Sequence, residues 1–313
     1  MTPRTLLFQA IIALFALSVA AMPSTSADDA AAPDDARLLD NLGGWAAPVF
    51  RVNEFFDTTL PGTLDPFDLA LDIRPRLGDF VGRHFIRFPM ELRYGWTDDF
   101  EIISGWTPVT PNPFRSGDGR KWSPGEAGLG FRYNLDARVE QVPIATFSLY
   151  GRTPLGRPPT DLIDGYAHVE PRLALMRPFL EERIFLVLNL VYDRSFNPPG
   201  HSRPDPGEVT RQHIAEVIPG VIYMPGELGY VLQYTFRHID EPMEDRLAHA
   251  YRAGIIWEVP RERSAQWNIP GTWQIEASYE LTDEEERSLD HAILLRARVR
   301  LELRRHSPSQ PEE

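Results

Sequence analysis

The chain has 313 residues, 42% hydrophobic and 25% charged, with 29 Pro, 22 Gly and no Cys, which excludes a disulfide-stapled mini-protein, a collagen and a low-complexity chain. A formal net charge of -13, with no basic run to set against it, excludes nucleic acid as the expected partner. Mean hydropathy is -0.30, and no run after the first segment approaches the ~20 apolar residues that a membrane helix needs.

Arg4 precedes an apolar stretch over residues 6–22 and then a cluster of small residues, the order of a secretory signal peptide, expected here over 1–27. An exported chain without a spanning helix is either soluble outside the cytoplasm or a closed barrel in the outer membrane. Residues 28–66 are rich in Asp, Ala, Pro and Gly with one amphipathic patch over 38–56. They read as a flexible N-terminal arm or plug.

From Phe67 onward, alternation of period two recurs in blocks of about ten residues separated by Gly, Pro, Asp and Asn. In 67–76, Phe67, Leu69, Leu71 and Ile73 alternate with Asp68, Ala70, Asp72 and Arg74. In 84–95, Ile86, Phe88, Met90, Leu92 and Tyr94 oppose Arg87, Glu91 and Arg93. The same split runs through 127–135 and 272–281, and is clearest near the end, where Ile293, Leu295, Ala297, Val299 and Leu301 oppose Arg296, Arg298, Arg300 and Glu302. Weaker blocks at 99–107, 143–153, 166–176, 184–193, 212–223, 228–238 and 247–258 bring the expected number of strands to about twelve.

Connection lengths alternate as an outer-membrane barrel requires, short at 96–98, 136–142, 177–183 and 224–227 and long at 108–126, 154–165 and 194–211. The stretch 260–271 is too long for its side. Tyr94, Trp106, Tyr133, Tyr150, Tyr192, Tyr223, Tyr230, Tyr251, Trp257, Trp273 and Tyr279 fall near strand ends, as the aromatic girdles of such a barrel do. Alternation alone does not say which face meets water. Twelve sequential strands decide it, because a meander of that size closes around a lumen too wide for one apolar core to fill. The expected fold is therefore all-β, a closed antiparallel up-and-down transmembrane β-barrel over 67–304 with a polar tail over 305–313.

Leu92-Arg93-Tyr94-Gly95-Trp96-Thr97-Asp98-Asp99-Phe100-Glu101-Ile102 resembles a hairpin of the outer-membrane barrel family labelled for the MetA pathway of phenol degradation. Gly125-Glu126-Ala127-Gly128-Leu129-Gly130-Phe131-Arg132-Tyr133 is similar to that family's next strand, with Glu126 standing where a glycine is expected. The resemblance implies an outer-membrane channel or transporter for small molecules, hydrophobic or aromatic compounds among them. Outer-membrane lipid, lipopolysaccharide and a small solute are the partners this implies.

No zinc-ligand spacing, nucleophile elbow, phosphate loop or dinucleotide fingerprint occurs, so neither an enzyme nor a cofactor or metal site is expected. The charged face carries the functional expectation instead. Arg87, Glu91, Arg93, Arg132, Glu276, Glu280, Arg296, Arg298 and Arg300 are expected to line the lumen. Two arrangements are open: acids and arginines pair and fill the barrel, or Arg296, Arg298 and Arg300 form an unpaired ladder that favours anions. The alternative function is a structural or adhesion barrel with a closed lumen and binding loops at 108–126 and 194–211.

Overall fold

The computed structural model describes residues 54–55, 58–74, 85–111, 122–135, 144–155, 165–179, 183–197, 213–240, 245–284 and 290–302. Within them, β1 (Glu54–Phe55) pairs with β2 (Thr58–Thr59), and every other strand belongs to one antiparallel sheet. Twelve of its strands follow one another around a ring: β3 (Asp68–Ile73), β5 (Met90–Thr97), β6 (Phe100–Pro111), β7 (Ser123–Leu135), β8 (Ile144–Pro154), β9 (Ala167–Phe179), β10 (Ile184–Phe196), β11 (His213–Tyr223), β12 (Leu228–Asp240), β13 (Asp245–Val259), β14 (Thr272–Glu284) and β15 (Asp290–Glu302). The ring closes where β15 meets β3, from Ala297 opposite Ile73 to Glu302 opposite Asp68. The fold is the closed antiparallel barrel that the alternation predicts.

One predicted strand is two. The block at 84–95 breaks at Phe88 and Pro89, giving β4 (Phe85–Arg87) and β5. Proline cannot donate to a ladder, and β4 pairs instead with the far end of β6, Arg87 opposite Val109. It lies outside the ring of twelve.

Each strand presents its apolar set outward. Leu129 on β7 and Leu232 on β12 are 65% and 63% exposed, while Arg93, Arg132 and Arg298 are among the most deeply buried side chains of the chain. A water-soluble sandwich has the opposite arrangement. A 13-residue strand such as β12 rises about 3.3 Å per residue and, tilted by ~40°, exceeds the ~25 Å apolar band of an outer-membrane barrel. Among the described residues no helix is long and apolar enough to cross a membrane.

The over-long connection at 260–271 contains a short helix, α1 (Arg261–Gln266). After it, Trp267 meets Trp257 edge to face at 6.3 Å, and the Arg263 guanidinium lies over the Trp257 ring at 5.8 Å. The chain then returns through Gly271 at φ 83, where a Cβ would come within 2.3 Å of the Arg300 carbonyl and 2.9 Å of Val299 Cγ2. That contact explains why Val299, on the outer face, is only 9% exposed.

Of the expected girdle, Trp106, Tyr133, Tyr192, Tyr223, Tyr230, Tyr251 and Tyr279 are exposed on the outer face. Tyr150 is a correction. It shares the inner face of β8 with Ser148 and lies across glycines of β6 and β7. A Cβ added to Gly105 would fall 2.0 Å from Tyr150 Oη and meet no other residue closer than 3.7 Å, whereas one on Gly128 would fall 2.1 Å from the same oxygen and 2.9 Å from the Gly151 carbonyl. The glycines are required because a phenol ring occupies the space of their side chains. Gly105→Ala is expected to cost about 1–3 kcal/mol, and Tyr150→Phe to restore most of that loss. Gly128→Ala should resist the same rescue. Urea unfolding in detergent micelles measures all four proteins, and equal rescue at both glycines would refute the steric assignment.

Candidate functional site on the inner face

The inner face has two storeys. In the half nearer the short turns, β3, β14 and β15 bring Asp72, Glu276, Arg296 and Arg298 together. Arg296 Nε donates to both carboxylate oxygens of Asp72 at 3.0 Å, Arg298 Nη2 donates to Asp72 Oδ2 at 3.1 Å, and Glu276 Oε1 lies 3.4 Å from Arg298 Nη1. The register dictates this cluster: Arg298 stands opposite Asp72 on one side and Gln274 on the other, while Arg296 stands opposite Glu276. Below it Arg300 reaches Asp68 and, at 2.5 Å, Asp65. On the next wall Glu101 lies 3.6 Å from Arg93 and 3.8 Å from Arg132. All these groups except Asp65 are buried, so the cluster is dry, and each charge depends on its partners for the solvation it has lost.

The segment leading into β3 crosses the inner face at this level. Thr59 N–H donates to Asn189 Oδ1 at 2.8 Å and Asn189 Nδ2 donates back to the Thr59 carbonyl at 2.9 Å, so one side-chain amide imitates a rung of β-ladder. Arg172 Nη1 donates to Thr59 Oγ1 at 2.6 Å, Arg132 Nη2 to the Leu60 carbonyl at 2.5 Å, and Gly62 N–H to Thr146 Oγ1 at 2.7 Å. Leu64 N–H donates to Glu101 Oε2 at 2.8 Å. These partners sit on β6, β7, β8, β9 and β10, so the segment spans five neighbouring strands. Leu60 is fully buried in a cluster with Met176, Phe185, Val187, Ile222, Val231 and Ile256. Burying a leucine in this way contributes about 2 kcal/mol.

In the half nearer the long connections the charges form pairs, several of them wetter, and the first is joined to the dry cluster, since Arg74 Nε also lies 3.1 Å from Asp72 and Glu91 3.6 Å from Arg93. Arg74 Nη2 lies 2.6 Å from Glu91, Arg152 Nη2 2.7 Å from Asp193, Arg172 Nη2 2.7 Å from Glu170 and Arg237 Nε 2.5 Å from Glu216. Arg252 and Glu280 are in direct contact. His168 Nδ1 is hydrogen-bonded to Asp193 Oδ1 at 2.7 Å. The Arg152 and Arg237 side chains are each 33% exposed and that of Arg74 30%.

The sequence-predicted residues therefore divide among three places. Arg93, Arg132, Glu276, Arg296, Arg298 and Arg300 are in the dry storey, Glu91 and Glu280 are half-buried in the wetter one, and Arg87 is half-buried on β4. Arg296, Arg298 and Arg300 are ion-paired with Asp72, Glu276, Asp65 and Asp68, which corrects the unpaired ladder. Asn189, Arg172, Thr146, Asp193 and Leu60 were not singled out by sequence. One signal for them exists: in Ile184–Val191 both faces of β10 are apolar except at Asn189, as expected for an inner wall covered by something other than water.

A closed antiparallel barrel, apolar outside and ionic within, defines an outer-membrane type of β-barrel. Among solved structures the chain is similar to an outer membrane channel from Pseudomonas putida F1, at 11% identity, covering 79% of this chain and 100% of that one with a TM-score of 0.55. It is also similar to the KdgM porin in complex with disordered oligogalacturonate, at 7% identity over 75% of this chain and 99% of that one, TM-score 0.43. The NanC porin matches at 12% identity over 75% and 100%, TM-score 0.43. At 11% identity the likeness to the Pseudomonas putida channel is one of fold. No protein-family model and no curated protein matches the chain, so the resemblance at 92–102 and 125–133 rests on those residues.

Proposed function

We propose that the chain is an outer-membrane channel for small solutes, exported by the signal peptide at 1–27 and seated among outer-membrane lipid and lipopolysaccharide, and that it carries out no reaction of its own. The observation that supports this most is the inversion of polarity, with Leu129 and Leu232 outside and Arg298, Asp72 and Glu276 inside. In this reading residues 58–65 are the working part of the arm, a plug held by hydrogen bonds on one side and by the Leu60 cluster on the other. The solute class implied by the resemblance is small hydrophobic or aromatic compounds.

A second reading, the structural or adhesion barrel, draws support from the same plug, since the Asn189 clamp and the Leu60 seal suit a lumen that stays shut. Its binding loops at 108–126 and 194–211 lie mostly outside the described residues. Conductance in planar bilayers separates the two. The wild type is expected to pass little current and Leu60→Asp several-fold more, because a carboxylate among Met176, Phe185 and Ile256 has no partner there and drives the segment out. Lipid-background current from both proteins would leave the structural barrel as the reading.

A further inference from the structure

We infer that the wetter storey of the lumen is a charge-balanced annulus that passes solutes of either sign, and that Arg237 and Glu216 are determinants of this indifference. The inference rests on the channel reading above. A pore selects ions by the uncompensated charge along its path, and the chain's net charge of -13 would predict a cation pore if it were spread evenly through the barrel. It is not spread evenly. Around the annulus Arg74, Arg152, Arg172, Arg237 and Arg252 each have a carboxylate at hydrogen-bonding distance, and the Arg237–Glu216 pair links adjacent strands directly, since these two residues are cross-strand partners in the β11–β12 ladder.

The contrast between the storeys locates the selectivity. In the dry storey Asp72, Glu276 and Arg298 are sealed from solvent and bonded to one another, so their fields largely cancel before reaching a moving ion. In the annulus, with Arg237 one-third exposed, a passing solute comes into direct contact with both members of a pair. Solvent reaches the exposed third of Arg237 and screens its pair with Glu216, which keeps the contribution of that pair to folding small, so either member can be neutralised with the barrel intact. What the pair contributes is the absence of a net field. A single neutralisation unbalances it: Arg237→Gln leaves a negative annulus and Glu216→Gln a positive one.

Reversal potentials in a salt gradient test this with the full-length chain carrying Leu60→Asp, so that the path is released without altering the wall. Cation and anion permeabilities should agree within about twofold in that background. Adding Arg237→Gln should shift the ratio toward cations by about threefold or more, and Glu216→Gln toward anions by a similar factor. Two variants of opposite expected sign guard against one failing to assemble, which the mobility of unheated protein in detergent gels reports. A conducting Leu60→Asp protein that already prefers one sign strongly, or a ratio unmoved by both neutralisations, overturns the inference and leaves the channel reading standing. A silent Leu60→Asp protein overturns the channel reading, and the inference with it.

Discussion

Asp72→Ala is expected to cost about 3–5 kcal/mol of folding stability. Asp72 is buried and accepts hydrogen bonds from Arg296 and Arg298, while Arg74 Nε lies 3.1 Å from its Oδ2. Removing it takes away the carboxylate that three guanidinium groups share, and leaves Glu276 at 3.8 Å from Arg296 and 3.4 Å from Arg298 as the acid remaining in that part of the cluster. The position also matters. Asp72 belongs to the ladder that joins the first and last strands of the ring, which runs only from Ala297↔Ile73 to Glu302↔Asp68. Glu170→Ala provides the contrast: its pair with Arg172 is partly exposed, and a screened pair of that kind is worth about 0–1 kcal/mol. Urea unfolding of the micellar protein, followed by tryptophan fluorescence, should separate the two variants clearly. Equal losses would mean that the dry cluster does not hold the seam.

How much of this was legible beforehand depends on how far apart in sequence the interacting groups lie. The alternation in 293–303 announced β15, and the acids and arginines facing inward followed from it, because strand periodicity is local and exact pairing is not needed to see it. The pairing of Arg298 with Asp72 was open, since it depends on ring closure bringing together residues 226 positions apart. The break at Phe88 and Pro89 was readable in principle from the missing N–H, although the apolar alternation runs straight through it. Tyr150 misled for a different reason. Tyrosine near a strand end suits a girdle equally well, and only the glycines on two neighbouring strands, Gly105 and Gly128, disclose a ring folded over them. The contacts of 59–64 across the inner face were not legible, because most of the hydrogen bonds use backbone groups that carry no sequence signature. Only the doubly apolar face of β10, interrupted at Asn189, gave any sign that this wall is covered.

Leu129→Arg tests the outward face of the apolar set, on which the channel reading depends. Leu129 is central in β7 (Ser123–Leu135) and 65% exposed. If that face meets water, replacing an exposed leucine by arginine changes stability by no more than about 0.5 kcal/mol. If it meets acyl chains, the guanidinium must be held at the bilayer midplane, at a cost of about 2–4 kcal/mol, falling to about 0–1 near the interfaces. Leu228, exposed at the turn-side end of β12, supplies the second depth. We therefore expect Leu129→Arg to destabilise the protein folded in phospholipid vesicles by several times as much as Leu228→Arg, with the difference shrinking in short-chain detergent, where the head group can reach water more easily. Depth alone sets the direction of this difference, since both leucines project from the same surface of the sheet. A flat response, with both substitutions near zero, would place the exposed leucines in water and remove the physical basis for a membrane channel.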